Sequence, residues 1–168
     1  MAFREGADSE AKAAQGRDGH GEVPMSLWQT YSAFANTEGG VIILGAEEMA
    51  DGSLDLIGVK DPARVNRDLW NTLNNRQKVS ANLLAERDIE VVTGPDNPVV
   101  VMRVPRASRK DRPVYVNGNP LTGTYRRNFD GDYACPETVI RRMLAEAEED
   151  SRDGRINRAV CGLAPRLG

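Results

Sequence analysis

Leu27, Trp28, Tyr31, Phe34 and Ala35 recur at i, i+1, i+4, i+7 and i+8, the spacing that gathers side chains on one face of a helix. A helix is therefore predicted from Pro24 to the region 36–38. Pro24 suits the first turn, where its missing N–H would have no partner, and the pair Gly39-Gly40 offers a left-handed stop. The unbroken aliphatic run 41–44 is short enough for a strand buried on both faces and is expected at the centre of a sheet. Asp51-Gly52 marks a turn that leads into a partner strand over 54–59, making a hairpin. A second helix opens at Asp61-Pro62, buries Val65, Leu69, Trp70 and Leu73, and stops at Asn74-Asn75. The β-rich runs 88–92 and 99–104 flank the turn-forming TGPDNP and read as a hairpin, while 113–116 and 122–126 read as two short strands around NGNP.

A closing helix over 136–149 is expected to bury Val139, Ile140, Met143 and Leu144. At the other end, SEAKAA (9–14) forms either a short edge strand or one helical turn inside a polar lead. Past residue 150 the apolar pattern gives out and a flexible tail is expected. The sum is an α+β fold with a mixed, mostly antiparallel sheet and about three helices. One domain covers 1–149 and a tail covers 150–168.

Composition narrows the function more than the fold. With 168 residues, 40% hydrophobic and 28% charged, the chain has the make-up of a single soluble globular domain. No apolar run reaches the ~20 residues that cross a bilayer. The start MAFREGADSE also lacks the apolar stretch of a secretion signal. A cytoplasmic protein with no membrane partner is expected. Cys135 and Cys161 have no second thiol or histidine at metal-ligand spacing and are expected as reduced thiols, and His20 between glycines reads as a loop residue. No Gly-Lys-Ser/Thr follows the glycine pair, which excludes a phosphate loop of the usual nucleotide-hydrolysing kind. A net charge of −3 argues against broad attraction to nucleic acid, so any such contact must be local. One stretch qualifies: between 103 and 127, seven basic residues stand against the single acid Asp111.

Several of these pieces also come in a specific order. Glu10-Ala11-Lys12 precedes a helix ending in AFANTEGG, and the strand VIILG and the acids Glu47-Glu48 follow. Then come IGVKDP, the second helix, a hairpin ending MRVPRA, and the segments RPVYVNG and GTYRR. In this order, over about residues 5–147, the chain resembles the Schlafen AlbA-like domain. The resemblance implies a DNA- or RNA-binding module of the kind found in bacterial transcriptional regulators and shared with vertebrate Schlafen proteins. Bacterial members often continue into a winged-helix or other C-terminal domain, which is not expected here. The resemblance implies an alternative as well. In vertebrate Schlafens with ribonuclease activity three carboxylates bind a divalent metal and cut transfer or ribosomal RNA, and Glu5, Glu10 and Glu47, or its neighbour Glu48, fall at those positions. Magnesium or manganese would be a cofactor on that reading alone, since such hard cations take carboxylate oxygens.

The residues carry the binding reading independently. Arg106, Arg109, Lys110 and Arg112, followed by Arg126 and Arg127 among Tyr115 and Tyr125, interleave cations with aromatic rings, a combination suited to phosphate contact and base stacking. The bland alternative is a solvated basic loop. Lys12 touches a phosphate or only balances Glu10. Asn36 and Thr37 bring hydrogen-bonding groups to the glycine corner, as a recognition surface or merely as the cap of a tight turn. The three acids are metal ligands or simply solvated. A third reading makes the chain an interaction domain that forms a homodimer.

Overall fold

The computed structural model describes residues 9–13, 23–93, 98–129 and 131–163, with side chains to residue 152. Strand β1 (Ser9–Lys12) lies parallel to β2 (Gly40–Leu44), with Glu10 opposite Ile42 and Lys12 opposite Leu44. Within the segment 9–14, Ser9–Lys12 thus forms an edge strand. β2 sits inside a four-stranded sheet of order β1-β2-β6-β5, where β5 (Ile89–Val92) and β6 (Val99–Val104) form the expected hairpin and both remaining pairings are antiparallel.

Successive strand residues point to opposite faces. Ile42 and Leu44 join Val100, Met102 and Val104 beneath the helices α1 (Ser26–Asn36) and α2 (Pro62–Leu73), whereas Ile43 packs with Val99, Val101 and Ala46 on the other face. Burial on both sides is why the run 41–44 shows no alternation. α1 ends in a Schellman-like stop, the Gly39 N–H donating to Phe34 O at 2.8 Å. Gly39 has φ +76°, and a Cβ there would stand 2.7 Å from Val104 O, so backbone from β6 packs directly on the corner. α2 begins as predicted, with Asp61 Oδ1 accepting from the Arg64 N–H at 3.1 Å. Val65, Leu69 and Leu73 are buried, and Trp70 is partly buried against the same core.

Three expectations need correction. The turn at Asp51-Gly52 does join a hairpin, but its arms are β3 (Ala46–Glu48) and β4 (Leu54–Leu56), a separate ribbon. The chain bends away from β2 at Gly45, whose φ is +93° and whose Cβ would stand 2.9 Å from the backbone of Gly58. Residues 113–116 and 122–126 share only one bridge, Tyr115 to Thr124. Pro120 and the cap Asn119, whose side chain accepts from the Leu121 N–H, wind 120–123 into the short α3 (Pro120–Gly123). The strand that follows, β7 (Tyr125–Asn128), pairs instead with β8 (Gly131–Ala134). Finally, α4 (Glu137–Leu163) runs well past residue 149. Of its four expected core residues only Ile140 is buried, and Leu144 is exposed. Intrahelical pairs such as Arg141 with Glu137 and Arg152 with Glu148 support its mostly exposed stretch 137–152. What remains is the predicted class: among the described residues, four helices, three of them long, with mostly antiparallel strands. No described helix is long and apolar enough to cross a membrane.

One core residue carries a pH signature. The buried Tyr31 hydroxyl donates to Ala81 O at 2.8 Å and accepts from the Leu83 N–H at 3.0 Å. Burial pushes its pKa up to about 12, the Leu83 bond opposing and the Asp111 charge adding. The folded state holds this proton more tightly than the unfolded chain, so the contribution is complete below pH 10 and is lost as pH rises towards about 12. Denaturation midpoints compared at pH 9 and near pH 12 should fall more steeply in the native chain than in Tyr31→Phe. By this linkage the difference amounts to about 2–3 kcal/mol.

Candidate functional site

The glycine corner is built by the polar side of α1. Asn36 is 6% exposed. Its Nδ2 donates to Val114 O and to Tyr125 O, both at 2.9 Å, and its Oδ1 accepts from the Val114 N–H at 2.8 Å. Ser32 Oγ donates to Val114 O at 2.7 Å and accepts from the Tyr125 N–H at 3.0 Å. Thr37 Oγ1 donates to Ala33 O at 2.8 Å and accepts from the Arg127 N–H at 2.9 Å. Side chains of a helix thus take the place of a neighbouring strand along one edge of β7, satisfying backbone groups that would otherwise be buried unpaired. Asn36 and Thr37 are therefore structural, holding 114 and 125–127 against the helix end, which is a stronger form of the cap alternative. Ser32 had no signal in the sequence beyond being a polar residue off the apolar stripe.

A buried ion network lies beside this edge. Arg127, with a side chain 3% exposed, places Nη2 at 2.9 Å from Glu10 Oε2 and Nη1 at 2.8 Å from Asp132 Oδ1. Its guanidinium carbon stands 5.0 Å above the Phe34 ring. Burial alone would lower the Arg127 pKa, yet hydrogen bonds and charges from Asp132 and Glu10 outweigh it and hold the group above its ordinary value. Thr30 donates to the other oxygen of Asp132, and Lys12 Nζ lies 3.2 Å from Glu10 Oε1. Arg127, expected as a phosphate contact, is thus turned into the fold to neutralise carboxylates, and Lys12 balances Glu10, the second of its two expected alternatives. The β1 register explains it: Glu10 and Lys12 point to the helix-covered face, where β7 and β8 meet α1.

Of the three acids expected as metal ligands, Glu10 and Glu47 are among the described residues. Glu10 has a cation on each oxygen, Glu47 is exposed on β3 opposite Asp55, and no group of three His, Cys, Asp or Glu side chains with metal-holding geometry occurs among them. Glu5, like His20, lies outside the described residues. Cys135 is a buried free thiol whose pKa burial pushes up and the nearby Arg126 pulls back.

The remaining cations form a rim. Arg106, Arg109 and Lys110 are exposed in the loop after β6 and Arg112 is partly so. Among the described residues Arg106 and Arg109 have only loose ion pairs, each 3.9 Å, with Glu38 and Glu146, which at such exposure contribute little. Arg126 points opposite to Arg127 and outward, across the ribbon from Tyr133, itself 56% exposed. Phe129 at the β7–β8 turn is 83% exposed. Both basic segments adjoin the end of α1, one through the Arg106–Glu38 pair and the other through Thr37 and the Arg127 N–H.

A helix stopped by glycine against a central strand, with a clamped β-ribbon beside it, defines an α+β domain whose likeness to known proteins is direct. The family model described as Schlafen, AlbA_2 matches residues 4–136, and the chain belongs to that family. Its fold is similar to the solution structure of the N-terminal domain of a Nitrosomonas europaea protein named as related to the ATP-dependent DNA helicase RecG. That likeness has 28% identity and a TM-score of 0.55, over 77% of this chain and 84% of that one. It is also similar to the crystal structure of the DIP2311 protein from Corynebacterium diphtheriae, with 18% identity and a TM-score of 0.51. Here the match covers 77% of this chain but 22% of the other, so it concerns the fold of one part of a larger chain. No curated protein matches the chain.

Proposed function

We propose that this domain binds nucleic acid, DNA or RNA, through the cationic rim on either side of the α1 corner. The observation that carries the reading is the fate of the basic residues. Arg127 and Lys12 are engaged inside the fold, while Lys110, Arg112 and Arg126 have no carboxylate within ion-pair distance among the described residues. A protein of net charge −3 keeps exposed cations on the two segments that adjoin the α1 end, and it sets exposed Tyr133 across the ribbon from Arg126, with exposed Phe129 at the ribbon's turn. Phosphates would meet the arginines and lysines, and unstacked bases would meet the rings. The 28% identical solved relative, from a protein named for a DNA helicase, supports a nucleic-acid setting.

Fluorescence anisotropy with single- and double-stranded DNA and RNA at low salt tests the proposal. Binding that weakens in Arg126→Ala and Lys110→Ala is expected, and the absence of binding to every probe overturns it. The rim is chosen for substitution because it lies outside the clamp and the ion network, so folding should be unaffected.

A further inference from the structure

The loop that presents Lys110 and Arg112 also walls an open cleft of about 260 Å³, whose other walls are the segment 76–81 after α2 and the helix α4. Arg76, Lys110 and Arg112 line it together with Tyr115, Leu144 and one carboxylate, Asp111. Asp111 Oδ2 accepts from Ser108 Oγ at 3.0 Å, and none of the three cations has a carboxylate within ion-pair distance among the described residues. Arg112 Nε is shielded from solvent and has no acceptor there, an arrangement that folded proteins seldom leave without a reason. The walls are firmly held. Arg76 Nη1 donates to Ser80 O at 2.9 Å. The Ser80 N–H donates to Tyr115 O at 2.9 Å, and the Tyr115 N–H to Ser80 Oγ at 2.9 Å. Tyr31 fastens Ala81 and Asn36 fastens Val114.

We infer that this cleft seats a terminal phosphate of a nucleic-acid strand, with Arg76 and Arg112 on its oxygens, Lys110 as a point charge and Tyr115 beside the attached nucleoside. The inference rests on the nucleic-acid reading and adds an end-specific contact to it. Two features favour an end over an internal linkage. Three cations against one carboxylate leave an excess of two positive charges, which matches a phosphomonoester carrying about −1.5 to −2 better than a singly charged diester. A cleft backed by α4 also takes a strand end more readily than a backbone that must enter and leave. Forked guanidinium groups suit such an anion geometrically.

The test compares one short oligonucleotide in three forms, 5′-phosphorylated, 3′-phosphorylated and unphosphorylated, by anisotropy with the full chain. Inorganic phosphate is titrated separately while the amide resonances of 76–81 and 110–115 are followed. One phosphorylated form should bind roughly tenfold tighter than the unphosphorylated one, the effect of one good charge-assisted contact. Arg76→Ala and Arg112→Ala should each abolish that preference, Arg112→Lys should keep part of it, and Arg126→Ala should weaken all forms while leaving the preference intact. Equal binding of the three forms overturns the inference, even where Arg76→Ala weakens all of them. If no oligonucleotide binds, the nucleic-acid reading has failed, and the phosphate titration decides the cleft by itself: shifts confined to those two segments uphold an anion seat, and their absence ends it.

Discussion

Replacing Arg127 with alanine is expected to destabilise the fold by about 3–5 kcal/mol, the usual consequence of removing one partner from a buried ion pair. The guanidinium is 3% exposed and lies between Glu10 and Asp132, whose side chains are 13% and 15% exposed. Without it two largely buried carboxylates keep, among the described residues, Lys12 on Glu10 and Thr30 on Asp132, and Phe34 loses its cation. For a domain whose whole stability is of order 5–15 kcal/mol, urea denaturation should show the midpoint moving far down. Arg126→Ala, one residue away and outward-facing, should leave it within about 0.5 kcal/mol of the parent. Equal effects from the two substitutions would mean that the network is not the inner support described here. A joint replacement, Arg127→Met with Glu10→Gln and Asp132→Asn, should recover part of the loss, because the charges then leave together.

Asn36→Ala should be of similar size, on the order of 3–5 kcal/mol, since it leaves the Val114 N–H and Tyr125 O buried without partners at about 1–3 kcal/mol each and removes a packed side chain. Val114 O keeps Ser32 as its donor. Asn36→Asp makes the prediction sharper: it preserves the acceptor for the Val114 N–H but puts a carboxylate oxygen against two backbone carbonyl oxygens. It should therefore fare no better than alanine despite its shape. Amide exchange would localise the loss to 113–116 and β7. If instead Asn36→Ala folds normally and weakens only ligand binding, Asn36 belongs to a recognition surface after all.

Both residues show where sequence reasoning ran short. Periodicity sufficed for α1, α2 and the central strand, because there the buried side chains are apolar and the pattern is local. It failed on the opposite side of α1. Thr30, Ser32 and Asn36 are buried, yet polar residues off an apolar stripe read as solvent-facing, and their partners in 114 and 125–132 lie some eighty to a hundred positions away along the chain. Alternation along β7 was equally uninformative, since Arg126 and Arg127 are chemically identical and only the ribbon's orientation sends one outward and the other in. The same holds for Arg76, which nothing in its neighbourhood singled out and which reaches the cleft only because Ser80 and Tyr115 bring the two segments together. By contrast, AFANTEGG announced the corner faithfully: Gly39 is needed for its positive φ and for the close approach of β6. The motif marks the family and the scaffold, and the chemistry proposed for the domain sits on the loops that the scaffold holds.

That division, an inner set of polar and charged residues for folding and an outer rim for binding, is tested most directly by the salt dependence of nucleic-acid affinity. Anisotropy titrations from low to physiological salt should give a linear fall of log K with log salt for the native chain. In the variant Arg109→Ala/Lys110→Ala/Arg126→Ala the slope should be shallower by about 2–3, at about 0.7–0.9 per phosphate contact removed, with the urea midpoint unchanged. A slope that stays the same in this variant, or binding that is indifferent to salt in the native chain, would contradict the account.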